Sequence, residues 1–239
     1  MSGKVLRAFA VVAVAAAGVA FAAAPAAGGV ANAAFAHAHN ASTSTNWSGY
    51  ALTGTYTAVT GHWTVPTVSG SGNHYSSQWV GIDGFANSNL IQTGTAAYVE
   101  NGRATYHAWW EILPAAESPL PLTIHGGDAM TATLTKSPTS TAWRITLTDD
   151  TTGEAFRGAL AYAGPDASVE WIEETPTVNG AVGPPPRFTT FSFTGATANG
   201  ANAGLTANNK ITLVQNGVTY STPSDPSGGN SFSVSYTGP

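Results

Sequence analysis

One amide and a handful of carboxylates stand out in a sequence otherwise rich in small, apolar and hydroxyl side chains. Gln92 lies in "LIQTGT", Glu111 follows two tryptophans in "YHAWWEIL", and "SVEWIEETP" carries Glu170, Glu173 and Glu174. Packing alone would favour Leu or Val at such strand-like positions, whereas these groups can donate to a polar substrate and exchange protons with it. Other chemistries lack their residues. The chain has no cysteine, which removes thiol nucleophiles and thiolate metal sites. There is no G-x-S-x-G elbow and no H-E-x-x-H pair, and His37 and His39 stand in a short polar stretch. A serine hydrolase of that type and a zinc peptidase therefore have no support. Asp83-Gly84 is not the paired Asp-Thr/Ser-Gly of pepsin-like enzymes, and Asp128 in "HGGDAM" reads as a residue fixing a turn. No phosphate loop or dinucleotide fingerprint occurs. Carboxylate and amide chemistry remains, and it requires no metal or cofactor.

The elements that position these groups are strands. Runs such as "AVTGHWTVP", "SSQWVGID", "ATYHAWWEIL", "AWRITLTDD", "RFTTFSFTGA" and "SFSVSYT" are β-branched and aromatic, and Gly, Asn, Ser and Pro clusters separate them. This spacing predicts an all-β sandwich or barrel. Asn216-Gly217 predicts a type I′ hairpin, and Asp149–Glu154 a longer hairpin loop. Gly180–Phe188, which could border a cleft, and Thr222–Asn230 read as surface loops. Side chains alternate along a strand, so parity assigns faces. Thr105, His107, Trp109 and Glu111 share one face; so do Ser77, Trp79, Gly81 and Asp83, and so do Glu170, Ile172 and Glu174. Glu173 points the other way. Carboxylates beside tryptophans on one face suit the concave wall of a bent sheet that holds a polymer.

Composition bounds the setting. Residues 1–33 carry Lys4 and Arg7, then a long Ala/Val/Phe run broken by Pro25, Gly28 and Gly29. That is the pattern of a secretory signal peptide, with cleavage expected after Ala33 or Ala36 and no membrane anchor left behind. Residues 34–45 read as a short flexible tail or pro-segment, and 46–239 as one catalytic domain. Loss of Lys4 and Arg7 removes two of 8 basic residues against 13 acidic ones, so the net charge moves from −5 to near −7. The acidic balance and the absence of basic clusters argue against a nucleic-acid partner. Only 9% of residues are charged, against about 25% in ordinary soluble domains. Sparse ionisable groups favour survival in acid, since acid unfolding proceeds mainly through carboxylates that must protonate.

"NWSGYALTG", "GHWTVPTV", "WVGIDG", "LIQTGT", "YHAWWEILP", "IHGGDAM" and "EWIEE" occur in the order and approximate spacing of the glutamic peptidases, the eqolisins, which this chain resembles from Asn46 nearly to its end. The resemblance implies a sandwich of two bent antiparallel sheets with a concave substrate cleft, and a secreted acid endopeptidase acting on polypeptides and insensitive to pepstatin; a monomer is the default for a secreted hydrolase. It places the catalytic pair on Gln92 and Glu174, the second Glu of E-W-I-x-E. Supporting or substrate-binding positions fall on Trp79, Asp83, Trp109 and Glu111, with Trp47, Glu170 and His107 beside them. Glu111 and Asp83 would hold Gln92 or the attacking water, or raise a proton affinity by mutual repulsion. The chain departs from the family at His107, where the pattern typically reads Asp, and in lacking the cysteines of many relatives. A lone strand histidine is ordinarily a packing residue; facing a cleft, it would be cationic in acid.

Two other readings fit the aromatic and acidic face. A jelly-roll glycoside hydrolase could use Glu111 and Glu174 as its carboxylate pair, but would leave Gln92 unexplained. A carbohydrate-binding sandwich would leave both Gln92 and Glu174 idle.

Overall fold

The alternating runs become strands, and the Gly, Asn and Pro clusters become the turns between them. The computed structural model describes residues 41–239, so the expected leader lies outside the described residues. Apart from a 3-10 turn at Ala207–Asn209, the regular elements described are all strands. A continuous antiparallel path runs from Ala155–Ala161 through Ala142–Asp149, Ala129–Lys136 and Ala58–Thr64 to Phe191–Ala198. It turns through Phe232–Tyr236, Val218–Pro223 and Lys210–Gln215. It then continues through Trp47–Thr53, Ser168–Glu174, His74–Ile82, Ile91–Glu100 and Arg103–Ile112 to Ser118–Leu120.

The path doubles back, and its halves pack face to face. Ala58–Thr64 lies on His74–Ile82, and Ala129–Lys136 lies on His74–Ile82 and Ile91–Glu100. This is the expected sandwich. The interlayer core takes alternate residues from both halves, among them Trp63, Val80, Ile91, Leu134, Ile145 and Trp171. Each such side chain contributes roughly 1.5–3 kcal/mol when fully buried, which is how a chain without disulfides can hold together. Two indoles also bond across the layers: Trp171 Nε1 donates to the Thr60 carbonyl at 2.8 Å, and Trp63 Nε1 to Thr95 Oγ1 at 3.0 Å.

Asn216 and Gly217, at φ 50° and 79°, make the expected tight turn between two strands. Asn101 and Gly102, at φ 52° and 79°, make another between Ile91–Glu100 and Arg103–Ile112. That turn sets the register of Gln92 against Glu111. Asp149 closes its loop by accepting from the Thr151 and Thr152 amides, and Asp128 accepts from the His125 amide at 2.6 Å, both as turn-fixing residues.

Three expectations need correction. The segment expected to be a flexible tail up to residue 45 is ordered at its end: Ser42–Ser44 forms a strand parallel to Ile211–Leu213, whose exposed edge offers it backbone partners. Gly180–Phe188 is not all loop, since Ala181–Val182 closes a hairpin with Thr177–Val178 and Arg187–Phe188 pairs with Val68–Ser69. Thr222 and Pro223 belong to a strand, where they pair with Ser235 and Val234.

Candidate active site

Five neighbouring strands build the site, in the sheet order Trp47–Thr53, Ser168–Glu174, His74–Ile82, Ile91–Glu100, Arg103–Ile112. They are named below by Trp47, Glu174, Trp79, Gln92 and Glu111. Their register places three rows of side chains on one face. Glu170, Gly81, Gln92 and Glu111 form the first row. Ile172, Trp79, Gly94 and Trp109 form the second, and Trp47, Glu174, Ser77, Ala96 and His107 the third. The parity assignment therefore holds for every pair it grouped up to the strand ends, and Gln92 and Glu174 share the face. The opposite face feeds the interlayer core. On the site face Trp47, Trp79, Trp109, Leu90 and Ile172 make a separate apolar cluster.

Small residues hold the middle of these rows. Gly94 is required there, because a Cβ would stand 2.1 Å from the Gln78 carbonyl oxygen and 2.6 Å from Trp79 Cβ. The indole of Trp79 can then lie along the sheet, edge-on to Trp47 at 5.1 Å and 77°. Its Nε1 donates to Glu174 Oε2 at 2.9 Å. Asn46 Nδ2 donates to Glu174 Oε1 at 3.1 Å, and Trp47 also hydrogen-bonds this carboxylate. Glu174 is thus fixed by three donors. Gln92 is 4% exposed and is fixed from the other side, its Nε2 donating to Glu111 Oε2 at 2.6 Å. Gln92 Oε1 has no partner among the described residues.

Burial governs the protonation of both acids. It pushes Glu111 up to about 7, with the charge of Glu174 adding, the Gln92 bond opposing, and Glu117 adding again. It pushes Glu174 up to about 7 as well; there the bonds from Trp79, Trp47 and Asn46 oppose, and Glu117 adds. The pair is coupled, so protons enter it in steps belonging to both residues. Three donors favour the Glu174 carboxylate and one favours that of Glu111.

The remaining expected residues divide. Trp109 is 3% exposed and joins the cluster behind the site. His107 lies on the site face, half-buried, with Nε2 3.0 Å from Glu117 Oε1; it has a charged partner and is no mere packing residue. Glu170 shares the first row but is 0% exposed, so it cannot meet substrate. Burial holds its carboxyl protonated well above the usual range, with Asp83 adding. Asp83 departs from the expectation that it holds Gln92 or water. Strand alternation ends at Ile82, and Asp83 takes φ 70°. Its carboxylate instead accepts from Tyr162 OH at 2.6 Å, the Asp166 and Ala167 amides at 2.9 and 2.7 Å, and Asn87 Nδ2 at 2.9 Å. It ties loops together behind the site.

Sequence reasoning missed Asn46 and Glu117. Asn46 stands one residue before Trp47, the strand partner of Glu174, so the pairing of those strands was the signal for it. Glu117 comes from a turn and had no periodicity to mark it. A cavity of about 240 Å³ lined by His74, Pro184–Arg187, Tyr220 and Tyr236 contains none of the residues above. Among the described residues no group of His, Asp and Glu could hold a metal ion.

Comparison with known proteins places the chain in a family. Residues 45–236 match the model of the Peptidase A4 family. Aspergillopepsin-2 of Aspergillus niger is 33% identical over 162 residues, 56% of this chain and 57% of that protein. The chain thus spans little more than half the length of that curated relative. Aspergilloglutamic peptidase from Aspergillus niger, a solved structure, is 26% identical with a TM-score of 0.61, covering 69% of this chain and 99% of that one. Scytalido-glutamic peptidase, solved with a peptide-based transition state analog, is 25% identical with a TM-score of 0.65, covering 81% and 98%. With a family match running almost the length of the described residues, and the same sandwich in the solved relatives, the chain belongs to the Peptidase A4 family, the glutamic peptidases.

Proposed function

We propose that this protein is a secreted, metal-independent endopeptidase active in acid, with Glu174 as general base and then acid, and Gln92 as donor to the oxyanion. The observation that carries this reading is the fixing of the two groups from opposite sides of one face: Gln92 by Glu111 at 2.6 Å, and Glu174 by Trp79 and Asn46. Glu174 as carboxylate takes a proton from a water whose oxygen attacks the scissile carbonyl carbon. The carbonyl oxygen becomes an anion and accepts the second N–H of the Gln92 amide. Glu174 then returns the proton to the amide nitrogen as the C–N bond breaks, leaving a carboxylic acid and an amine. An amide does not titrate, so its donor persists in acid; one such donor is worth about 3–4 kcal/mol of barrier. A neutral Glu111 serves this step better than an ionised one, because a negative charge behind Gln92 would repel the forming oxyanion.

Trp79 and Trp47 hold the base and keep bulk water from it, and polypeptides are the substrates. Secretion rests on the leader-like composition of residues 1–33; no helix among the described residues is long and apolar enough to cross a membrane. The protein works as a monomer, without nucleic-acid or membrane partners.

The test is hydrolysis of casein or haemoglobin in acid, with pepstatin present, beside release of reducing sugar from xylan. Protein cleavage alone is expected. Gln92→Ala lowers kcat by roughly 100- to 1,000-fold, and Glu174→Ala abolishes turnover while unfolding remains cooperative. Full activity in a folded Glu174→Ala protein would exclude the mechanism, and sugar release would favour the glycosidase reading with Glu111 and Glu174.

A further inference from the structure

A chain of hydrogen bonds leads from the strand Ser42–Ser44 into the carboxylate of Glu174. That strand pairs in parallel with Ile211–Leu213, and Gln215 Nε2, at the end of the partner strand, donates to the Thr45 carbonyl at 2.8 Å. Ser44 is 4% exposed. Its Oγ accepts from the backbone amides of Asn46 at 3.2 Å and Trp47 at 3.1 Å, and donates to Asn46 Oδ1 at 3.0 Å. A serine hydroxyl has two acceptor sites and one proton. Amides take both acceptor sites, so the proton has one direction left, toward Asn46 Oδ1. The nitrogen of the same side chain then faces Glu174, at 3.1 Å from Oε1. The two ends of one carboxamide are held in opposite senses, and the hydroxyl decides which end meets the base. The backbone holds the same frame: the amide of Thr175, next after Glu174, donates to the Asn46 carbonyl at 2.8 Å.

We propose that Ser44 is a positioning residue of the active site: it locks the Asn46 side chain with its N–H toward Glu174, so that the base is met by a donor. This rests on the dyad reading above. An untethered asparagine could turn over and offer its oxygen to a protonated Glu174, which would hold that residue in the form unable to take a proton from water. Ser44 opposes the turn, because an Asn46 nitrogen facing it would meet a hydroxyl whose acceptor sites are already full. The bond from Trp79 Nε1 to Glu174 needs no such device, since an indole only donates. An amide, which can do either, needs one. The strand Ser42–Ser44 therefore belongs to the working site and is not a segment to be trimmed; both expected leader cleavage points, after Ala33 and Ala36, lie before it.

The experiment compares Ser44→Ala, Asn46→Ala and the double variant in the full chain. Ser44→Ala should lower kcat by roughly 3- to 10-fold, the scale of one hydrogen bond, with KM little changed because a buried serine does not meet substrate. Asn46→Ala should lower kcat at least as far. In the double variant the Ser44→Ala loss of kcat should vanish, since the bond it acts through is gone. A merely structural serine, serving only the two backbone amides, would lower kcat equally with and without Asn46. The side-chain amide protons of Asn46, identified in ¹⁵N spectra by their loss in Asn46→Ala, give a readout independent of turnover; in Ser44→Ala they should shift and exchange faster with solvent. If the protein cleaves no polypeptide, the dyad reading fails while those signals still decide whether Ser44 aims the amide. Parent-like kcat in Ser44→Ala, an equal Ser44→Ala loss without Asn46, or unmoved Asn46 amide signals would overturn the proposal.

Discussion

Glu173 points away from the face that carries Gln92 and Glu174 into the sandwich, where it is 0% exposed. Gln78, its strand partner, donates Nε2 to Glu173 Oε2 at 2.7 Å and to Ser76 Oγ at 2.9 Å. Burial raises this carboxyl from 4.5 to about 8 against the opposing bonds from Gln78 and Ser76, with Glu174 adding to the rise. A folded value above the unfolded one means that the native state binds the proton more tightly. The associated stability is fully present below pH 4.5, declines as pH rises through the interval, and is gone above about 8. At about 1.4 kcal/mol per decade, the difference is roughly 5 kcal/mol for this residue alone, a large share of a typical 5–15 kcal/mol. Glu173→Gln replaces the neutral acid by a neutral amide that Gln78 can still bond. Urea unfolding of both proteins at pH 4 and pH 9 separates the effects. The parent should lose several kcal/mol more than the variant between the two, and the variant should be the more stable at pH 9. Parallel losses in both proteins would refute the reasoning and show that Glu173 ionises at little cost, through water or a shift of Gln78.

Glu111→Gln keeps an acceptor for Gln92 Nε2 and removes the group whose proton leaves near pH 7; the fall in kcat/KM through neutral pH should flatten, and an unmoved limb would free Glu111 of that role. Gly94→Ala would drive a methyl group into the Gln78 carbonyl and Trp79. About 1–3 kcal/mol should be lost in urea unfolding, the range for overpacking, with kcat falling too because Trp79 carries Glu174; an unchanged midpoint would mean the strands separate easily there.

The faces of the site were legible because a strand has period two. Once Trp79, Glu111 and Glu174 are placed on strands, their side follows, and His107 with them. The same rule failed at Asp83, one residue past Ile82, where the backbone turns to φ 70° and alternation loses its meaning. Periodicity also gave no sign that Glu170 is sealed in while Glu174, four residues on, is partly open; cover comes from other strands and loops, which a single strand does not encode. Glu117 is the sharper case, since turns carry no repeat and only the fold brings it to His107 and Tyr98. What a strand dictates on its own is direction, and what makes an acid strong or weak is everything that arrives from elsewhere. Three donors converge on Glu174, from Asn46, Trp47 and Trp79, and two charges crowd Glu111. The different surroundings of two chemically identical carboxylates are therefore a property of the sheet order.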